Sequence, residues 1–146
     1  MPAFPWALIA TGCFAFFAVS SSGNVRAPFL LDMARDLGTS LALAANLMAI
    51  SAIAWGIGSL VAGAWSDRIG RRPFLILGPP ALAATLAGVA LADGYAAVAA
   101  WVTLAGLAAG AVSATVVAEV SARVVDRQRG RALGWTLSGQ SLAILL

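Results

Sequence analysis

Between Leu41 and Trp65 stand 25 consecutive residues without one ionisable side chain. Wound as a helix at about 1.5 Å per residue, the run is about 37 Å long, enough to cross a hydrocarbon core of about 30 Å. A helix that is apolar all round needs either a large core or lipid around it. With only 146 residues the chain has no large core to offer. In lipid the backbone must satisfy its own hydrogen bonds, which leaves helices or closed barrels, and runs this long and uncharged specify helices. Comparable stretches recur, so the expected fold class is an all-α membrane protein with spans over about 5–31, 41–65, 74–92, 95–117 and 132–146.

The composition agrees. The chain is 61% hydrophobic and 10% charged, against about 45–50% and 25% for a soluble domain. The net charge of +3 would suggest nucleic acid in a soluble protein, but most of the nine arginines fall in two short loops, as the positive-inside rule requires. No nucleic-acid partner is expected; the lipid bilayer is. Cys13 is the one cysteine and histidine is absent, which excludes an internal disulfide and a Cys/His metal site. Lysine is absent too, and with it any Walker-type phosphate loop. The chain therefore holds no ATPase engine of that kind.

The N-terminal apolar run has no basic residue before it, so it is read as a first span and not as a cleaved leader. From Pro5 to Val19 it is too short to cross, so the helix is expected to continue through Asn24 and Arg26 toward Leu31 or else to stop short. Asp32, Arg35, Asp36 and Gly38 then mark an aqueous loop. In the second span, small residues at Ala52, Gly56, Gly58, Ala62 and Gly63 offer close helix approach, as do Gly106 and Gly110 in the fourth. Pro73 suits the first turn of the third span, and Gly78-Pro79-Pro80 should kink it. Asp93-Gly94 is a tight turn before the fourth. Arginine placement orients the whole: the loops after spans two and four are each net +2, and the alternate loops each −1. The basic loops, and the N-terminus with them, belong in the cytoplasm, Ser66 and Gln128 with them and Gly38 and Gly94 outside.

The loop after span two is a dense charged stretch, Gly63-Ala64-Trp65-Ser66-Asp67-Arg68-Ile69-Gly70-Arg71-Arg72. It resembles the signature of the major facilitator superfamily, Gly-x-Leu-x-Asp-Arg-x-Gly-Arg-Arg/Lys, at Gly63, Asp67, Arg68, Gly70, Arg71 and Arg72, with Trp65 replacing the Leu. Gly106 to Gly110, Glu119 and the run from Asp126 to Gly134 likewise resemble the fourth helix and following loop of facilitator efflux proteins. Val102 stands where the fourth-helix arginine of drug:proton antiporters would fall. The resemblance implies a facilitator-type helical bundle, here the first four transmembrane helices and part of a fifth, with alternating access around a midplane site.

Two readings attend the charges. Asp67, Arg68, Arg71 and Arg72 are either topology-setting charges on a solvated turn or a cytoplasmic latch, with Gly63 and Gly70 framing the turn, whose ion pairs break as bundles rock. Glu119 and Arg123, four apart, either form a local surface pair or, with Arg129, join Asp67 and Arg71 in one cytoplasmic network. Arg26, with Asn24 and the serines before it, is the first candidate for substrate contact, since an ionisable group at membrane depth needs water or a partner; the other reading has it snorkelling at the interface. Gln140 and Ser138 of the fifth span are placed to face the same path. Trp6, Trp65 and Trp135 read as interface anchors, and Trp55 and Trp101 as interhelical or path-lining.

The expected function is secondary transport of a small-molecule substrate in the cell (inner) membrane, as proton-coupled efflux of drugs or sugars, driven by the ion gradient without a bound cofactor. One rival is a non-transporting membrane receptor or assembly partner on the same scaffold. Another is a small dimeric multidrug exporter, which needs a carboxylate in its first span where none stands from Met1 to Leu31. The run from Ala132 to Leu146 is about 22 Å long as a helix, and five spans do not complete a 3+3 repeat. With the resemblance, this implies that the chain is part of a protein of roughly 400 residues and about twelve helices, with the rest as its partner and no transport by these 146 residues alone.

Overall fold

In a computed structural model that describes residues 5–145, the chain is all helix, with no strand among the described residues. The order is α1 (Trp6–Asn24), α2 (Leu30–Asp36), α3 (Leu41–Ile69), α4 (Arg72–Ala90), α5 (Tyr95–Arg123) and α6 (Asp126–Leu145). Helices α1, α3, α4 and α5 are each long and apolar enough to cross a membrane. Leu146, the last residue of the expected fifth span, lies outside the described residues.

The helix bounds differ from the expected spans, each for a local reason. The first helix does not run to Leu31; it stops at Asn24. Pro28 has no N–H to give the Asn24 carbonyl, and Ala27 N–H takes that carbonyl at 3.0 Å in a tight turn instead. The chain restarts as α2, so Asp32, Arg35 and Asp36 are helical and not in a loop. Helices α3 and α5 run on to Ile69 and Arg123, past the expected ends at 65 and 117. At 29 residues each they are about 43 Å long, so their charged last turns clear the hydrocarbon. The last helix starts at Asp126, six residues before Ala132, because Asp126, Arg127, Arg129 and Arg131 form its first turns. The loop between α5 and α6 shrinks to Val124 and Val125.

The starts and turns follow their residues. Ser40 caps α3, its hydroxyl accepting from Leu43 N–H at 3.2 Å. Proline occupies the first positions of α4, which continues through Pro79 and Pro80. Gly70, between α3 and α4, has φ 89° and ψ 159°, a region open essentially to glycine alone.

Two helix pairs make the framework. Helix α5 lies against α3 so closely that a Cβ on Gly106 would sit 2.6 Å from the Ser51 carbonyl oxygen, and one on Gly110 would strike that of Trp55. The facing seam of α3 is Ala54, Gly58, Ala62 and Ser66, all buried at four-residue spacing. The Gly56/Gly63 face, expected to need a helix partner, meets nothing within 4 Å. Gly56 stands two residues from Gly58, a turn of about 200°, which puts it on the opposite side. The second pair joins α1 to α6, where Gly12 faces Thr136 and Gly139 faces the Cys13 carbonyl.

Helix α5 is the centre. Its Val112, Val116 and Val120 share one apolar cluster with Ile9 and Phe16 of α1, Leu82 of α4 and Ala132 of α6. A second cluster joins Val98 and Val102 to Leu47 of α3, with Met33 and Leu37 packed on it. The antiparallel hairpins bring the ends of α3 and α5 and the starts of α1, α4 and α6 to one end of the bundle, hereafter the basic end. That end carries seven arginines and three acids, and the other carries Arg26 and Arg35 with three acids.

Candidate functional site

At the basic end Arg71 is the junction. It lies 3.7 Å from Asp67, four residues earlier across the Gly70 turn, and 3.6 Å from Glu119 of α5. Glu119 also pairs with Arg123, four residues on. The Glu119 carboxylate is the sheltered member, 13% exposed against 70% for Asp67, so the two arginines compensate a charge largely withdrawn from water. Glu119 pairs both along its own helix and across to the Asp67/Arg71 turn.

Arg129 does not join that network. It pairs with Asp126 at 2.6 Å, and its Nε–H donates to the Ser121 carbonyl at 3.1 Å. Lying in the first turn of α6, it covers a free carbonyl at the end of α5. Arg68 and Arg72 make no ion pair among the described residues. Gly63 takes part only through its carbonyl, which accepts from Ser66 Oγ at 3.0 Å. Ser66 itself is buried.

A cavity of about 360 Å³ lies at the other end, walled by α1, α3, α5 and α6. That volume falls within the range of small-ligand pockets. Asn24, Arg26 and Gln140 all line it, with Ser20 and Ser22 of α1. The break after α1 is what positions Arg26: in the turn that follows, its side chain comes under the α3–α5 pair, half-buried. Burial lowers the Arg26 guanidinium below its ordinary value, and an arginine so placed still keeps its proton.

Trp55, Ser51 and Ser113 complete the wall on α3 and α5. Trp55 Nε1–H donates to Ser113 Oγ at 3.4 Å, and that hydroxyl donates to the Ala109 carbonyl. Ser51 and Ser113 had no signal in the sequence beyond being polar within an uncharged run. Ser138 lies off the cavity, donating to the Trp135 carbonyl 3.7 Å from Cys13 Sγ. Trp101 packs on Gly88 of α4, away from the cavity. Val102 is fully buried among Leu47 and Val98, a setting with no counter-charge for an arginine.

The aromatic anchors gather at the basic end. Trp6 and Trp135 meet edge to face at 6.4 Å, and the Arg131 guanidinium stands 6.0 Å from the Trp6 ring. Trp65 is exposed. One bundle thus holds a cavity with polar side chains on a largely apolar wall toward one end and an ion-pair junction at the other, and α5 contributes to both.

A family profile described as Major Facilitator Superfamily matches residues 11–146. Comparison with curated proteins found no match.

Proposed function

The chain belongs to the major facilitator superfamily, and from that premise we propose that its cavity is one wall of a solute path in a proton-coupled efflux transporter of drugs or sugars. That it is a multi-pass, all-helical membrane protein of a transporter family follows from the match and the four apolar helices. The carrying observation for the finer reading is the cavity between α1, α3, α5 and α6, with Asn24, Arg26 and Gln140 on its wall. A lipid-filled bundle has no use for an arginine and two amides around one space; a solute path does.

The ion pairs of Arg71 with Asp67 and Glu119 act as the latch, holding the basic end closed while the cavity opens at the other. Seven of nine arginines at the basic end favour a cytoplasmic placement for it and for the start of α1, in the cell (inner) membrane. The open faces of α3, with Gly56 and Gly63, suit a further set of helices across the path, the rest of the same transporter.

Everted vesicles with an imposed pH gradient and a pH-sensitive dye test the reading. Addition of a transported drug or sugar collapses the gradient in vesicles holding the intact transporter and leaves it standing in vesicles without it. Solutes that bind without ever moving protons or themselves would favour a receptor on the same scaffold and overturn the proposal.

A further inference from the structure

We propose that the cavity takes a solute carrying an oxyanion, a carboxylate, sulfonate or phosphate group, directed at Arg26. The inference rests on the cavity being a solute path and adds the class of solute.

Arg26 is the one ionisable residue on the cavity wall among the described residues. It makes no ion pair and no side-chain hydrogen bond there: Asp32 is occupied with Arg35 at 3.7 Å, and the side-chain bonds of the region belong to other residues, as when Ser22 Oγ donates to the Val19 carbonyl at 2.6 Å. Five N–H donors in a planar fork therefore face a cavity with no acid on its wall. The fork matches two oxygens of an oxyanion side by side.

The neighbours sharpen the preference. Ser22 and Ser113 have already given their hydroxyl hydrogens to helix carbonyls, whereas the amides of Asn24 and Gln140 on the same wall can turn N–H groups toward an oxyanion. Trp55 and Phe16 supply apolar wall for the remainder of the solute. Low-dielectric walls concentrate the field of a single charge inside a cleft. A neutral sugar would leave that charge unanswered and a lipophilic cation would be repelled, so the class narrows to organic anions, sugar acids and anionic drugs included.

The field can be read without knowing the natural solute. Ser51, on the α3 wall of the cavity, is replaced by cysteine in a Cys13→Ser background of the membrane-embedded protein. Its reaction rates with the anionic 2-sulfonatoethyl and cationic 2-(trimethylammonium)ethyl methanethiosulfonates are each normalised to a free thiol. Both reagents need the same thiolate, so the thiol's own acidity cancels from the ratio. The anionic reagent should be favoured by roughly tenfold, Arg26→Lys should keep most of that preference, and Arg26→Gln should bring the ratio near one.

A ratio at or below one with Arg26 present, or one unmoved by Arg26→Gln, overturns the inference. If Arg26→Gln does not fold, the ratio in the Ser51→Cys protein and its decline with added salt decide the matter. Failure of both reagents to react would show the cavity closed to water; the solute-path reading then fails first and this inference with it.

Discussion

Arg71 stands 3.6 Å from Glu119 and so ties the start of α4 to the last turns of α5, 48 residues further along the chain. Glu119 is mostly buried and has Arg123 as its second partner, so removing one partner costs more here than in a pair on an open surface. Arg71→Ala and Glu119→Ala, singly and together, form a double-mutant cycle read by detergent-induced unfolding. A coupling of about 1 kcal/mol is expected for groups in direct contact. Additive effects would show the two side chains to be independent.

The backbone contact between α3 and α5 predicts opposite outcomes for two glycines. A methyl at Gly110 strikes the Trp55 carbonyl and comes within 2.8 Å of the Ser59 nitrogen, so Gly110→Ala should destabilise by about 1–3 kcal/mol, as overpacking does. Gly134, on α6, meets nothing within 4 Å, and Gly134→Ala should be neutral or stabilise by up to about 1 kcal/mol through helix propensity. Unfolding midpoints of the two variants in one detergent check the pair; equal losses would mean that the α3–α5 contact is not the seam described.

Sidedness is testable with single cysteines in a Cys13→Ser background. Ser66, expected on the cytoplasmic side, is buried on the α3 seam and would label poorly from either side. Gly130 and Asp93 are exposed at opposite ends of the bundle. With an impermeant thiol reagent on intact cells, Asp93→Cys should label at once and Gly130→Cys only after the membrane is opened. The reverse pattern would invert the proposed orientation.

The sequence disclosed the helical membrane fold because uncharged runs longer than a bilayer admit few other structures. It also disclosed the Asp67/Arg71 turn, since Gly70 and the charges are adjacent in the chain. The link from Arg71 to Glu119 was harder to read, because only packing decides whether Glu119 serves its own helix, its neighbour or both. The seam of α3 was legible only in part: Gly56 and Gly58 are equally small, a helix turned by two residues presents the opposite face, and packing alone picks Gly58 and Ala62 as the side that meets α5. The first helix was drawn too long because hydropathy counts residues and overlooks the hydrogen bond that Pro28 removes. That break is also why Arg26 reaches the cavity from a turn, with Asn24 and Gln140 beside it, and why the polar wall from Ser51 and Ser113 had to be seen to be found.

The central claim is that the cavity is reached from one side of the membrane at a time and that the Asp67/Arg71/Glu119 ion pairs bias which side. The direct measurement is the reactivity of Ser51→Cys, in the Cys13→Ser background, toward an impermeant thiol reagent in right-side-out and inside-out vesicles, with and without Asp67→Asn. Reaction is predicted from both faces, with a shift of roughly threefold toward the basic side when Asp67 loses its charge, which corresponds to a population shift of about 0.65 kcal/mol. Reaction from one face only, unchanged by Asp67→Asn, would contradict it.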